Sequence, residues 1–165
     1  MLTTDRLVLR APVVADAAFL SRILSVPEVT RWLANVPCPY AEDMAVGWLS
    51  QPQNSWPDLA MVTLDGALIG CVDTQGASIG YWLDPAYHGR GYMTEAAGAA
   101  RDAFFERSDA SALGSGFFEG NVASEGVLRK LGFQSDGEIM MHNVSQGRDI
   151  RHLNMVLTRA DWASR

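Results

Sequence analysis

The sequence predicts one α/β (α+β) domain, a mixed sheet of about seven strands with about four helices packed against it. Three observations lead there. A chain of 165 residues has the size of one domain, long enough to bury most of its apolar surface and with no room for a second. Hydrophobic residues make up 48% and charged residues 19%, which suits a packed core and not a disordered chain. Along the chain, period-two and period-3.6 segments follow the order strand, helix, helix, three strands, helix, strand, helix, two strands.

Leu7, Leu9 and Ala11 alternate with Arg6, Val8 and Arg10, a first strand that Pro12 closes because it cannot donate to a ladder. Asp16 opens a helix with Phe19, Leu20, Ile23 and Leu24 at helical spacing, and Pro27 marks its end or the start of a short successor. A further helix covers about Ala41 to Leu49. Leu59 to Leu64 and Ala67 to Val72 are apolar runs separated by Asp65-Gly66, a strong hairpin signal. Ser78 to Leu83 reads as a strand stopped by Asp84-Pro85. Beyond a glycine-bearing turn, Met93, Ala97, Ala100 and Phe104 give the helix that starts near Gly91 an apolar face. Ala112 to Phe118 is another strand, and Asn121 N-caps a helix to Leu131. Phe133 to Asn143 and Arg148 to Leu157 are the last two strands.

A net charge of −6 argues against a nucleic-acid surface, which needs clustered Lys and Arg, and would welcome a cationic substrate. Asp5, Arg6 and Arg10 interrupt the opening ten residues, unlike a secretory signal, and no apolar stretch approaches the ~20 residues of a membrane span. Cys38 and Cys71 have no metal-ligand or redox spacing, so a reduced, cytoplasmic setting is expected. The three histidines share no ligand spacing either, and no metal is expected.

The most informative stretch is His88, Gly89, Arg90, Gly91, Tyr92, Met93 and Thr94, between a predicted strand and a predicted helix. Glycines there let backbone N–H groups face outward, and the helix start adds its own unpaired donors and positive dipole end, an anion cradle. Neither the dinucleotide fingerprint nor the Walker pattern fits, so a different diphosphate ligand is called for.

These residues resemble the phosphate loop of the GNAT acetyltransferases, with His88, Gly91 and Met93 in the places of that family's Gln/Arg, Gly and Gly/Ala. The flanking words Gly80-Tyr81-Trp82-Leu83-Asp84-Pro85 and Gly91-Tyr92-Met93-Thr94-Glu95-Ala96 are similar to the RimJ/RimL-like branch, named for ribosomal-protein alanine acetyltransferases. So are the opening Leu2 to Arg10 with Asp16-Ala17, the set Asn121, Ser124, Lys130, Leu131, Gly132 and Phe133, and the ending Val156 to Trp162, so that the resemblance covers nearly the whole chain. It implies a mostly antiparallel sheet splayed between its fourth and fifth strands, with acetyl-CoA as acyl donor inserted there. Trp82 and Leu83 would run beside its amide arm and His88 to Thr94 would hold its pyrophosphate, with Lys130 nearby. Asn121 and Ser124 would face the pantetheine arm or the sulfur. A homodimer is a further suggestion of the branch, which no residue pattern specifies.

Attack of an amine on a thioester needs a free lone pair, alignment, and charge stabilisation. Many GNAT enzymes protonate the leaving thiolate with a Tyr seven residues after the Asn of this motif. Leu128 stands there, so Ser124, with Asn121, is the catalytic candidate. Asn121 and Ser124 also fit plain roles in a helix start. Where the branch often carries a basic Glu, this sequence has Ser78; Asp73, Glu119, His142 and His152 are each possible bases and equally possible surface groups. Deprotonating an α-amine of pKa near 8 at pH 7 costs only about 1.4 kcal/mol, against about 4.6 for a lysine amine. A weak base therefore suits a peptide or protein N-terminus, without excluding polyamines or aminoglycosides. Trp32, Pro37, Pro39, Tyr40, Trp48 and Trp56 could wall an acceptor pocket or simply cover the core, and Cys38 lacks an activating partner. Two other readings remain at this level: a GNAT-fold module that binds acyl-CoA without transferring anything, and a nucleotide-binding module using the same turn.

Overall fold

The computed structural model describes residues 1–164. The first predicted strand is β2 (Val8–Arg10), and ahead of it a two-residue strand that the alternation did not announce, β1 (Leu2–Thr3), folds back antiparallel on it, pairing Leu2 with Leu9. Thr4 makes the turn, because its backbone N–H donates to the Leu7 carbonyl while its hydroxyl oxygen accepts from the Leu7 N–H at 3.1 Å. A single 3₁₀ turn at Val14–Asp16 leads into α1 (Ala17–Ile23), Pro27 starts the separate short helix α2 (Pro27–Thr30), and α3 (Glu42–Leu49) follows.

The strands β3 (Leu59–Leu64) and β4 (Ala67–Asp73) form the expected hairpin, whose turn residues Asp65 and Gly66 both have positive φ, 50° and 83°. Ile69 is a bulge, since the register steps from Val62–Gly70 to Thr63–Leu68. Next come β5 (Gly80–Leu83), α4 (Tyr92–Arg107), β6 (Ala112–Phe118), α5 (Val122–Lys130), β7 (Gln134–Asn143), β8 (Arg148–Thr158) and α6 (Arg159–Ala163). The Thr158 hydroxyl oxygen accepts from the Asp161 N–H and caps the last of these, a helix the periodicity was too short to announce. No described helix is long and apolar enough to cross a membrane.

The strands form two sheets, β1-β2-β3-β4-β5 and β6-β8-β7. Between them β5 and β6 touch only at their starts, through one parallel bridge from Ser78 to Gly114, an Ile79 N–H to Gly114 carbonyl bond of 2.8 Å and a Ser115 hydroxyl on the Ile79 carbonyl. Past that point they diverge. The expected splay therefore lies at this junction, one strand later in the count because β1 precedes the first predicted strand.

Two cores sandwich the sheets. On one side α4 and α5 pack over Leu9, Val62, Val72, Leu83, Phe117 and Leu157; on the other α1 and α3 pack over Leu59, Met61 and Cys71. Leu128 is fully buried beneath α5, whose end is a Schellman turn: the Phe133 N–H donates to the Leu128 carbonyl and Gly132 has φ +85°.

Candidate acyl-CoA and amine site

The gap between β5 and β6 opens into a cleft of about 800 Å³ lined by both strands, the turn before α4, the start of α5 and the stretch following α2. At one end lies the glycine turn. Gly89 and Gly91 have φ of +75° and +79°, and Gly91 is the N-cap of the 16-residue α4 with no side chain capping it. Among the described residues no protein group accepts from the backbone N–H groups of Gly89 through Thr94; the first bond is from Glu95 to the Gly91 carbonyl. Five of these six residues, Gly89, Gly91, Tyr92, Met93 and Thr94, line the cleft beside His88, and with the α4 dipole their free donors make an arrangement suited to a diphosphate. The helix start is fixed from outside by Glu95. Burial pushes its carboxyl up, but hydrogen bonds from the Thr4 hydroxyl and the Arg6 backbone and side chain win and hold it below the usual range.

Two details of the turn differ from the sequence reading. The Nε2 of His88 lies 3.0 Å from the Leu83 carbonyl, so one ring nitrogen ties the turn to β5 and leaves only the other for a ligand. Arg90 does not line the cleft; its carbonyl accepts from Arg6, whose guanidinium also lies over the Tyr92 ring at 4.6 Å. Met93 is buried in the α4 core, as its place on the apolar face required.

Midway along the cleft stand Trp82 and Leu83 of β5 and, from α5, Asn121, Ser124 and Lys130. The Asn121 side-chain oxygen accepts from the Ser124 N–H at 3.2 Å, so Asn121 caps the helix while facing the cleft. The Ser124 hydroxyl lies 3.0 Å from the hydroxyl of Tyr81, a cleft residue the sequence reading passed over. Strand alternation held the signal: Trp82 stacks on Phe19 of α1, so its neighbour Tyr81 must face α5. Burial pushes the Tyr81 phenol up to about 12, against the opposing hydrogen bond with Ser124. Because the folded value lies above the ordinary one near 10, this group's contribution to stability is complete below about pH 10 and is lost as pH rises through about 12. In an ultraviolet phenolate titration Tyr81→Phe should lose amplitude from the part of the curve above the ordinary tyrosine range; loss of amplitude near pH 10 instead would contradict the burial.

Of the possible bases, Asp73 and His152 line the cleft. Burial pushes the Asp73 carboxyl up, with a Gln75 backbone N–H opposing and Asp58 adding to the rise. Glu119 instead pairs with Arg151 and His142 with Asp149, each at 2.9 Å. Trp32 lines the cleft; Tyr40 and Trp48 pack in the α1/α3 core and Trp56 against the other, so these three cover the sheet. Cys38 lies outside the cleft, and burial, then Asp73 and Asp16, push the Cys71 thiol far up. Among the described residues no group of three or more His, Cys, Asp or Glu is placed to hold a metal ion.

Residues 6–134 match the family model described as an acetyltransferase (GNAT) domain. A probable N-acetyltransferase of Bacillus subtilis (strain 168), YjcK, is 37% identical over 81 residues, 44% of this chain and 45% of that relative, so the match spans under half of the relative's length. Among solved structures, a GNAT-family acetyltransferase from Bacillus anthracis superposes with a TM-score of 0.81 at 18% identity, over 95% of this chain and 97% of its own. RimL, a ribosomal alpha-N-protein acetyltransferase solved in complex with coenzyme A, gives 0.79 at 17% identity over 98% of each chain. These two share the fold.

Proposed function

We propose that this chain, which belongs to the GNAT acetyltransferase family, moves an acetyl group from acetyl-CoA to a primary amine by direct attack while both substrates are bound. The observation that carries the proposal is the row of unpartnered N–H groups from Gly89 to Thr94 at one end of a cleft that parts two strands of the sheet. Acetyl-CoA, when bound, supplies a thioester carbonyl to the amine and a thiolate that must be protonated.

The chain's residues divide the work. Gly89 to Thr94 hold the pyrophosphate through main-chain donors and the α4 dipole, with His88 and Lys130 at the sides. Trp82 and Leu83 flank the amide arm, where β5 has no strand pairing along the edge turned away from β4. Asn121 fixes the first turn of α5 and so the position of Ser124. The Ser124 hydroxyl gives its proton to the departing sulfur, and the Tyr81 phenol beside it, kept protonated by burial, resupplies it. This pair takes the place of the tyrosine that many members of the family carry where Leu128 is buried here.

The acceptor best suited to this site is an α-amine such as a peptide or protein N-terminus. Its modest deprotonation cost of about 1.4 kcal/mol needs no strong carboxylate base. A RimJ/RimL-like placement agrees with the sequence words quoted above and with the RimL fold likeness.

Thiol release from acetyl-CoA in the presence of an alanyl peptide, spermidine and kanamycin tests this. Ser124→Ala should lower kcat on the accepted amine roughly 10- to 100-fold and Tyr81→Phe by a smaller factor, with acetyl-CoA affinity little changed. Wild-type kcat in Ser124→Ala would remove the serine from the mechanism.

A further inference from the structure

We infer that His152 is the catalytic base that takes the proton from the attacking amine, an assignment that rests on the transferase reading above. Register places it. In the β6–β8 ladder His152 pairs with Phe118 and Asn154 with Gly116, so these four share one face, while Leu113, Phe117, Leu153 and Met155 share the other, beneath α4 and α5. Ser124 and Tyr81 approach the cleft from the α5 side, and His152 from the opposite side, the face on which Trp82 meets Phe19. Proton donor and proton acceptor thus stand on opposite sides of the gap where the thioester would lie.

The ring is built into that position. A Cβ at Gly116 would lie 2.2 Å from His152 Cε1 and 2.9 Å from Nε2, so the imidazole fills the space a side chain at 116 would take and lies against β6 just where that strand leaves β5. The Phe118 ring meets it edge-on at 5.3 Å. Its Nδ1 is 2.9 Å from the Asn154 Oδ1. An amide oxygen only accepts, so Nδ1 carries the hydrogen and Nε2 keeps the lone pair. That Nε2 has no hydrogen-bond partner among the described residues, although the side chain lines the cleft. Asn154 is the positioning residue that sets the tautomer.

The step balances with groups already named. The amine nitrogen bonds to the carbonyl carbon as its proton passes to His152 Nε2; the carbon–sulfur bond breaks, its electron pair leaves with sulfur, and the Ser124–Tyr81 pair protonates the thiolate. The imidazolium then gives its proton to water and the Tyr81 phenolate takes one back from water, which restores both groups with no net proton change. Asp73, the other candidate lining the cleft, sits on β4 at the end where β5 and β6 are still bridged, with its Oδ1 taken by the Gln75 N–H at 2.7 Å.

The test uses thiol release by the full chain with acetyl-CoA and whichever of the alanyl peptide, spermidine or kanamycin the wild type acetylates fastest, with acetyl-CoA affinity measured by calorimetry. His152→Ala should lose at least ~100-fold in kcat with unchanged acetyl-CoA affinity, and added imidazole should restore part of the rate. His152→Gln, which fills the space imidazole needs, should be equally slow and not rescued, and Asp73→Asn should retain most activity. Full activity in His152→Ala, loss without rescue accompanied by weakened acetyl-CoA binding, or loss in Asp73→Asn alone would each overturn the assignment. Absence of wild-type turnover on all three amines would instead sink the transferase reading, and this assignment with it.

Discussion

Gly89→Asp is expected to leave the fold intact and weaken acetyl-CoA binding at least ~100-fold, about 2.7 kcal/mol. A Cβ at position 89 would meet nothing within 4 Å, and Asp tolerates the left-handed φ of +75° better than most residues, at a cost of about 1 kcal/mol. The new carboxylate would stand among the free N–H groups that are to receive a pyrophosphate. Two unit charges ~4 Å apart near a protein surface repel by about 4 kcal/mol, and the carboxylate would also occupy the donors itself. Gly89→Asn, with the same shape and backbone demand but no charge, separates the causes: it should bind far more tightly than the Asp variant at an equal melting temperature. Calorimetric titration with acetyl-CoA decides, and equal affinities for the two variants would mean that this turn does not hold the diphosphate.

The second large effect lies at the cleft wall that follows α2. Asn143 is fully buried at the end of β7, where its Nδ2 donates to the carbonyls of Arg31 (3.0 Å) and Leu33 (3.3 Å) while its Oδ1 accepts from the Ser145 hydroxyl and the Gln146 N–H. The Val144 N–H adds a bond of 2.9 Å to the Ala34 carbonyl. One side chain therefore clamps the segment after α2, which supplies Trp32 and Leu33 to Val36 to the cleft wall, onto the β7–β8 hairpin. Asn143→Ala removes four hydrogen bonds and strands the half-buried Leu33 carbonyl, whereas the Arg31 carbonyl keeps the Gln146 Nε2, the Ser145 hydroxyl keeps the Thr30 carbonyl and the Gln146 N–H keeps the Asn143 carbonyl. The one unsatisfied carbonyl costs ~1–3 kcal/mol and each of the other lost hydrogen bonds ~0.5 kcal/mol or more, so a loss of about 2–4 kcal/mol and a drop in Tm of roughly 5–15 °C are expected. Below its melting range the variant should show a raised KM for the amine with acetyl-CoA affinity unchanged. Stability within ~0.5 kcal/mol of wild type, or equal losses for both substrates, would contradict the clamp.

What could be read from the chain alone was what neighbouring residues decide. Asp65-Gly66 announced its hairpin because only a few residues accept two consecutive positive φ values, and Asn121 announced α5 because its side chain caps the third residue onward. The glycine turn was legible for the same reason, as His88 to Thr94 are contiguous. Contacts across long separations were not. The turn that folds β1 back onto β2 depends on Thr4 bonding to Leu7 and on a tie to Glu95, 91 residues away. The Asn143 clamp spans 112 residues to Arg31. His152 stood among four equal candidates until the ladder register set its ring over Gly116, a glycine whose lack of a side chain has meaning only beside that neighbour. Tyr81 lay within a quoted word, yet its partner Ser124 comes from another element.

Initial rates of thiol release with acetyl-CoA and an accepted amine varied together address the central claim most directly. Direct attack in the β5–β6 cleft predicts release that depends on the amine, stoichiometric formation of the acetylated product, and double-reciprocal lines that intersect. Tight acetyl-CoA binding with no amine-dependent release would contradict the account, and parallel lines would replace direct attack by a covalent acetyl-enzyme.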